Sequence, residues 1–170
     1  GGIELPSNVT VIGVRGSTVL RAASGDPVLT GSGVSQVTLR DLVLEGTGEA
    51  SNTDRAGLIT LIECARVEAS GLELRGGSVG IYLGGTSGLV EEALVHGTSD
   101  TGIFALDSRN LVLRGNRIFD CGNGGIRVWA SAEGGHDGTL VSGNDISDIR
   151  ADGGGNGQNG NGIHVYRAHA

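Results

Sequence analysis

Proline, cysteine and aromatic residues are all scarce in this chain of 170 residues: two prolines, two cysteines and five Phe, Trp or Tyr. Two prolines exclude a collagen-like or proline-rich linker segment. Cys64 and Cys121 stand 57 residues apart, outside any CxxC or Cys/His metal spacing, and read as two small buried side chains. No apolar run approaches the roughly 18 residues that suggest a membrane span. Basic residues are outnumbered: Lys+Arg is 12 against 19 Asp+Glu, a net charge of −7. An acidic chain without a basic cluster is poorly matched to nucleic acid, whose phosphates need a cationic face. Helical periodicity is missing too, since no stretch of ten or more residues spaces its apolar positions by 3.6. What the chain has in excess is glycine, with 33. Its apolar share of 38% is enough for a core.

The glycines fall in a repeat. Gly80-Ile81, Gly102-Ile103, Gly125-Ile126 and Gly162-Ile163 follow one another at spacings of 22, 23 and 37 residues, and Ile59 lies 22 residues before Ile81. Each Ile opens a short alternating run, such as Ile81-Tyr82-Leu83 or Ile163-His164-Val165. Period-two alternation over a few residues predicts a strand. Second and third alternating segments follow in each repeat, for example Leu111-Val112-Leu113 and then Ile118-Phe119. Three short strands cannot bury a face alone, but stacked repeats can, with inward side chains forming ladders. Two repeats share a corner, Gly115-Asn116-Arg117-Ile118 and Gly143-Asn144-Asp145-Ile146. Stacked Asn amides hydrogen-bond along such a pile, and Asp41 is placed at or near the same corner. The fold expected is all-β, a right-handed parallel β-helix of three short strands per coil and about six coils, as one domain over residues 1–170. A leucine-rich repeat is disfavoured because the half that should be helical is glycine-rich. The stretch Gly154-Gly155-Asn156-Gly157-Gln158-Asn159 half-matches a calcium nonapeptide turn, but it occurs once and has Asn159 where Asp belongs. No metal or other cofactor is expected.

Residues 3–13, Ile-Glu-Leu-Pro-Ser-Asn-Val-Thr-Val-Ile-Gly, followed by Ser17-Thr18-Val19-Leu20, resemble the first coil of the pectin lyase-like superfamily of right-handed β-helices. Gly124-Gly125-Ile126-Arg127-Val128-Trp129, the segment 137–144 and the segment 157–168 are similar to a bacterial family of twin-arginine-translocated repeat proteins. That narrower resemblance implies export to the periplasm or beyond, and a longer parent chain with further coils. The opening Gly1-Gly2-Ile3, and an end just after an apolar alternation, point the same way.

Three stretches exceed the period: 47–56, 130–138 and 149–161. All flank the first strands, and insertions in solenoids carry binding. They imply a groove floored by the first-strand sheet, which in the pectin lyase-like superfamily is where polysaccharide clefts lie. With the isoleucines inward, the outward columns are Thr60, Tyr82, Phe104, Arg127, His164 and Ile62, Gly84, Leu106, Trp129, Tyr166, with the phase left open at one coil, where Phe104 and Leu106 could point inward in place of Ile103 and Ala105. Four of the five aromatics fall there, suited to stacking on sugar rings, to packing on one another or under the insertions, or to a protein contact. The expected substrate contacts are Tyr82, Phe104, Trp129, Tyr166, Arg167, Asp107 and His136. Proton abstraction from a uronic-acid polymer would use His164 or Tyr166 as base and Arg127 or Arg167 to neutralise the carboxylate. Hydrolysis would draw on Asp107, Asp137 and Asp152. The candidate catalytic set is His164, Arg127 and Asp137. The partner expected is a polysaccharide or oligosaccharide, with further coils or end-to-end self-association covering the last sheet edge. The alternative function is a non-catalytic structural or adhesion scaffold.

Overall fold

A computed structural model describes residues 2–23, 25, 27–48, 56–132, 137–155 and 157–168. Among them there is no helix, and the 19 strands wind coil by coil. The first coil is β1 (Ile3–Glu4), β2 (Val9–Ile12) and β3 (Val19–Arg21), and the second is β4 (Leu29–Ser32), β5 (Ser35–Arg40) and β6 (Val43–Glu45). The third is β7 (Gly57–Ile62), β8 (Ala65–Ser70) and β9 (Glu73–Arg75), and the fourth is β10 (Val79–Gly84), β11 (Gly88–Glu91) and β12 (Leu94–His96). The fifth is β13 (Thr101–Leu106), β14 (Leu111–Arg114) and β15 (Arg117–Cys121), and the sixth is β16 (Gly124–Trp129), β17 (Leu140–Ser142) and β18 (Asp145–Ile149). A last first-sheet strand, β19 (Asn161–Tyr166), follows.

Every third strand joins the same sheet. The first sheet runs β1-β4-β7-β10-β13-β16-β19, and two six-stranded sheets collect the second and third strands. All pairings are parallel, as the stacked coils of a β-solenoid require. Register places Ile59, Ile81, Ile103, Ile126 and Ile163 in one column, continued by Leu29 and Ile3. Ile59, Ile81, Ile103 and Ile126 are at most 1% exposed and belong to the single large core. Burying each such side chain stabilises the fold by about 2–3 kcal/mol. Leu44, Leu74, Val95 and Ile118 form the matching column of the third sheet.

The corners explain much of the sequence between strands. Asn116 is buried, and its Nδ2 donates to Val90 O (3.2 Å) and to Asn144 Oδ1 (2.9 Å). Its Oδ1 accepts from Ala93 N at 3.0 Å. Asn144 repeats the pattern by donating to Leu113 O at 2.9 Å. The expected amide ladder is therefore present. Asp41 takes the position before the Asn, in column with Gly71, Glu92, Gly115 and Gly143, all at φ of 50° to 62°. That column demands a left-handed backbone, which glycine adopts freely and Asp tolerates.

Candidate functional site

The outer face of the first sheet follows from the same register. Its columns are Thr60, Tyr82, Phe104, Arg127, His164 and Ile62, Gly84, Leu106, Trp129, Tyr166. Val79, Tyr82 and Phe104 form a small cluster separate from the core, with Leu106 and Trp129 packed against it. This fixes the phase at β13, with Ile103 and Ala105 inward and Phe104 outward.

The rings on this face touch edge to face up the stack. Tyr82 and Phe104 centroids are 5.6 Å apart, Phe104 and Trp129 5.1 Å, Trp129 and His164 5.4 Å, and Trp129 and Tyr166 5.9 Å. These separations suit attraction between ring quadrupoles. Exposure rises along the series. Tyr82 is 2% exposed and Phe104 7%, while Trp129 is half-buried and Tyr166 reaches 44%. Tyr82 and Phe104, expected as sugar contacts, thus spend their surface on neighbouring side chains and offer little to a ligand.

Arg127 is also nearly buried, its side chain 7% exposed. Its Nη1 lies 3.2 Å from both carboxylate oxygens of Asp100, and Nη2 donates to Asn159 Oδ1 at 2.9 Å. The guanidinium stands 5.3 Å from the Trp129 ring. Glycine at 124 makes this pose feasible, because a Cβ there would come within 2.9 Å of Arg127 Nε. Arg127 therefore ties one coil to the next and to the 149–161 insertion. That insertion is further fixed by Gly153 N and Gly160 N, which donate to Asn123 Oδ1 (2.6 Å) and Asn123 O (2.7 Å).

Asp107 and Arg167 share a different role. Both occupy the corner after the first strand, with φ of 53° and 55°, in the place where other coils put Gly33 and Gly85. The Asp107 carboxylate accepts from Ser131 N (2.7 Å) and Ser131 Oγ (2.6 Å), and Arg167 donates to Ser131 O at 3.2 Å. Together they hold the root of the 130–138 insertion. Arg167 also lies 5.0 Å from the Tyr166 ring. Asp137 accepts from Thr139 N at 2.7 Å and its own carbonyl receives Asn110 N, so it caps the turn into β17. His136 lies outside the described residues, as do Glu133 and Asn156.

The structure thus gathers Arg127, Trp129, His164, Tyr166 and Arg167 at the upper end of the sheet, and assigns Asp137 to a corner toward the second sheet. Asp100 was missed by sequence reasoning. The signal was available, since Asp100 immediately precedes a first strand and Arg127 stands one coil above the Phe104 position. Elsewhere, Cys64 and Cys121 are free and buried, and burial pushes the Cys121 thiol up, holding it protonated. Among the described residues no group of three or more His, Cys, Asp or Glu side chains is arranged to hold a metal ion, and no helix is long and apolar enough to cross a membrane.

A family described as "Periplasmic copper-binding protein (NosD)" matches residues 12–170. No curated protein matches the chain, and no solved structure does. The family match covers nearly the whole sequence, agrees with the wound parallel sheets, and is in keeping with the expected periplasmic or extracellular location. The chain belongs to the NosD family of periplasmic proteins.

Proposed function

We propose that this chain is a glycan-binding β-helix of the periplasm, taking an oligosaccharide on the upper outer face of its first sheet. The observation that carries this reading is the gradient of exposure along one connected series of rings. The lower rings are closed over, and the series opens at Trp129 and Tyr166, between two insertions. Trp129 and Tyr166 would stack on the apolar faces of sugar rings. His164 and Arg167 would supply polar contacts at the edge of that platform. The His164 Nδ1 is buried against its neighbours, so ligand contact falls to Nε2. Asp107 and Asp137 act on the walls, through the insertion root and its turn. Binding is the activity this arrangement supports, with the chain as one β-helix domain. The segments similar to the twin-arginine family favour that route of export.

The family description names copper. Copper centres gather imidazole, thiolate or thioether ligands. The chain has no methionine, and its two cysteines are buried apart: Cys64 Sγ donates to Ile62 O and Cys121 Sγ to Phe119 O. The described residues do not fit a copper centre, and none of the chemistry here is assigned to copper.

A second reading has its own observation. Ile163 and Val165 occupy inward columns of β19 yet are 50% and 44% exposed. A further coil or a second copy stacked on this edge would cover them, as the scaffold alternative requires. Association that rises with protein concentration in sedimentation supports it.

A glycan array tests the first reading. The chain should bind at least one class of oligosaccharide, and Tyr166→Ala should weaken that binding by roughly tenfold, about 1.4 kcal/mol. Because Tyr166 is exposed, its variant should keep the parent's melting temperature. Absence of binding by the parent chain refutes the reading.

A further inference from the structure

We infer that the site takes the end of a glycan chain and not an internal stretch of one; this rests on the glycan reading above. The floor open to a ligand is short and one side chain wide. In the first outward column Thr60, Tyr82, Phe104 and Arg127 are all buried, so the sheet is covered there from β7 to β16. The second outward column is open at Leu106 and Trp129, both half-buried, and at Tyr166, which is exposed. One coil below Leu106 that column closes at Gly84, which is buried. The Tyr82 ring lies against it, since a Cβ on Gly84 would stand 3.2 Å from Tyr82 Cε1 and 3.4 Å from its Oη. Both outward positions of β10 are therefore covered, and the column reopens a further coil down, at Ile62.

A polymer bound through an internal stretch must leave its site in both directions. Here one direction is shut. A chain lying on Tyr166 and Trp129 reaches Leu106 and then meets the packed cluster of Val79, Tyr82 and Phe104. Passing further would mean lifting the cover from those rings and losing the burial that holds them. Toward β19 the column stays open. The flanks are occupied as well: Asn159 is bonded to Arg127 on one side, and Ser131 to Asp107 and Arg167 on the other. From Leu106 to Tyr166 is two strand steps, about 10 Å, the reach of a disaccharide. The Trp129 and Tyr166 rings are inclined at 63°, so one flat sugar cannot lie on both. Consecutive sugars of a chain are turned relative to one another and can stack on the two rings in succession. A terminal sugar against Leu106 and Trp129, with its neighbour on Tyr166, fills the strip.

Chain length reads the difference. Ladders from monosaccharide to octasaccharide of α-1,4-glucan, β-1,4-glucan, β-1,4-mannan, β-1,4-linked N-acetylglucosamine and α-1,4-galacturonan are titrated against the full chain by calorimetry. In the recognised series affinity should rise by roughly tenfold from mono- to disaccharide and level off by the trisaccharide. One octasaccharide should take up one molecule of protein, because an end offers a single register whereas an internal site gains one with every added sugar. Leu106→Trp fills the shut end of the strip. It should bring the disaccharide down to the affinity of the monosaccharide, a loss of roughly tenfold. Should Leu106→Trp melt early, the parent's length series and stoichiometry decide alone. Affinity still climbing beyond the trisaccharide, several proteins on one octasaccharide, or a well-folded Leu106→Trp that binds the disaccharide as the parent does overturns the inference and leaves the glycan reading standing. Failure of every ladder to bind the parent overturns both.

Discussion

The two faces of the first sheet are made by the same strands and obey different rules. Inside, position after position repeats: Ile59, Ile81, Ile103 and Ile126 stack in register with almost no exposure. Outside, one residue along the chain, the column reads Thr60, Tyr82, Phe104, Arg127, His164. Each inward residue meets nearly the same neighbours in every coil, so packing holds its size and shape constant. Each outward residue meets whatever the loops lay over it, and the insertions differ from coil to coil. A solenoid can therefore vary its outer face from one end to the other without disturbing the winding. Here that freedom produces a closed aromatic lower half and a more polar, partly open upper half.

Substitutions on one strand measure this contrast most directly. On β13, Ile103 is fully buried in the core, and Leu106 is half-buried against the outer cluster. Ile103→Ala should cost about 4 kcal/mol, combining lost transfer energy with a cavity between two coils that cannot collapse. Leu106→Ala should cost only about 1 kcal/mol, since solvent already reaches it. Urea unfolding of both variants checks the difference. Equal costs would mean that the outer cluster is as integral to the fold as the core.

The inner face was legible from sequence because its repeat is chemical as well as geometric. The recurring Gly-Ile pairs set the phase except at β13, where Phe104 and Leu106 competed with Ile103 and Ala105 until the packing was seen, and the paired Gly-Asn corners announced the ladder between Asn116 and Asn144. The outer face was legible in direction but not in cover. Alternation tells that Tyr82 and Phe104 point outward, and it carries no information about what lies above them. Asp100 escaped notice because its partner, Arg127, stands 27 residues away in the next coil, a pairing visible only once the register is laid out. Asp41 was expected near the Asn corner and takes the left-handed position just before it, where a short polar side chain and glycine are interchangeable.

That left-handed corner offers a smaller test, at the seam between the faces. Glu92 stands at φ 50° in a column otherwise filled by Asp41 and three glycines. A long side chain there costs about 1 kcal/mol of strain, which glycine removes at some cost in unfolded-state entropy. Its contact with Arg15, at 3.6 Å between side chains 66% and 68% exposed, adds little. Glu92→Gly should raise stability by about 0.5 kcal/mol. A clear loss would show that this corner accepts a side chain without strain, and that the glycines in the column have another cause.

The outermost electrostatics should matter least, and pH isolates them. On the outer face of the third sheet, Arg21 donates to Glu45 at 2.7 Å, with Arg75 3.6 Å away. The hydrogen bond from Arg21 pulls the Glu45 carboxyl below its usual value of 4.5, against some opposing desolvation. A carboxylate depressed in the folded state adds stability above its unfolded pKa and loses it as pH falls through the folded value. The contribution should therefore be complete at neutral pH and fade below about pH 4.5. In Glu45→Gln the acid limb of the stability curve should flatten slightly, with no shift at high pH. An acid limb unchanged by this substitution, beside a large loss in Ile103→Ala, would place the whole of the winding's stability in the inner columns and none in the charged ladder outside.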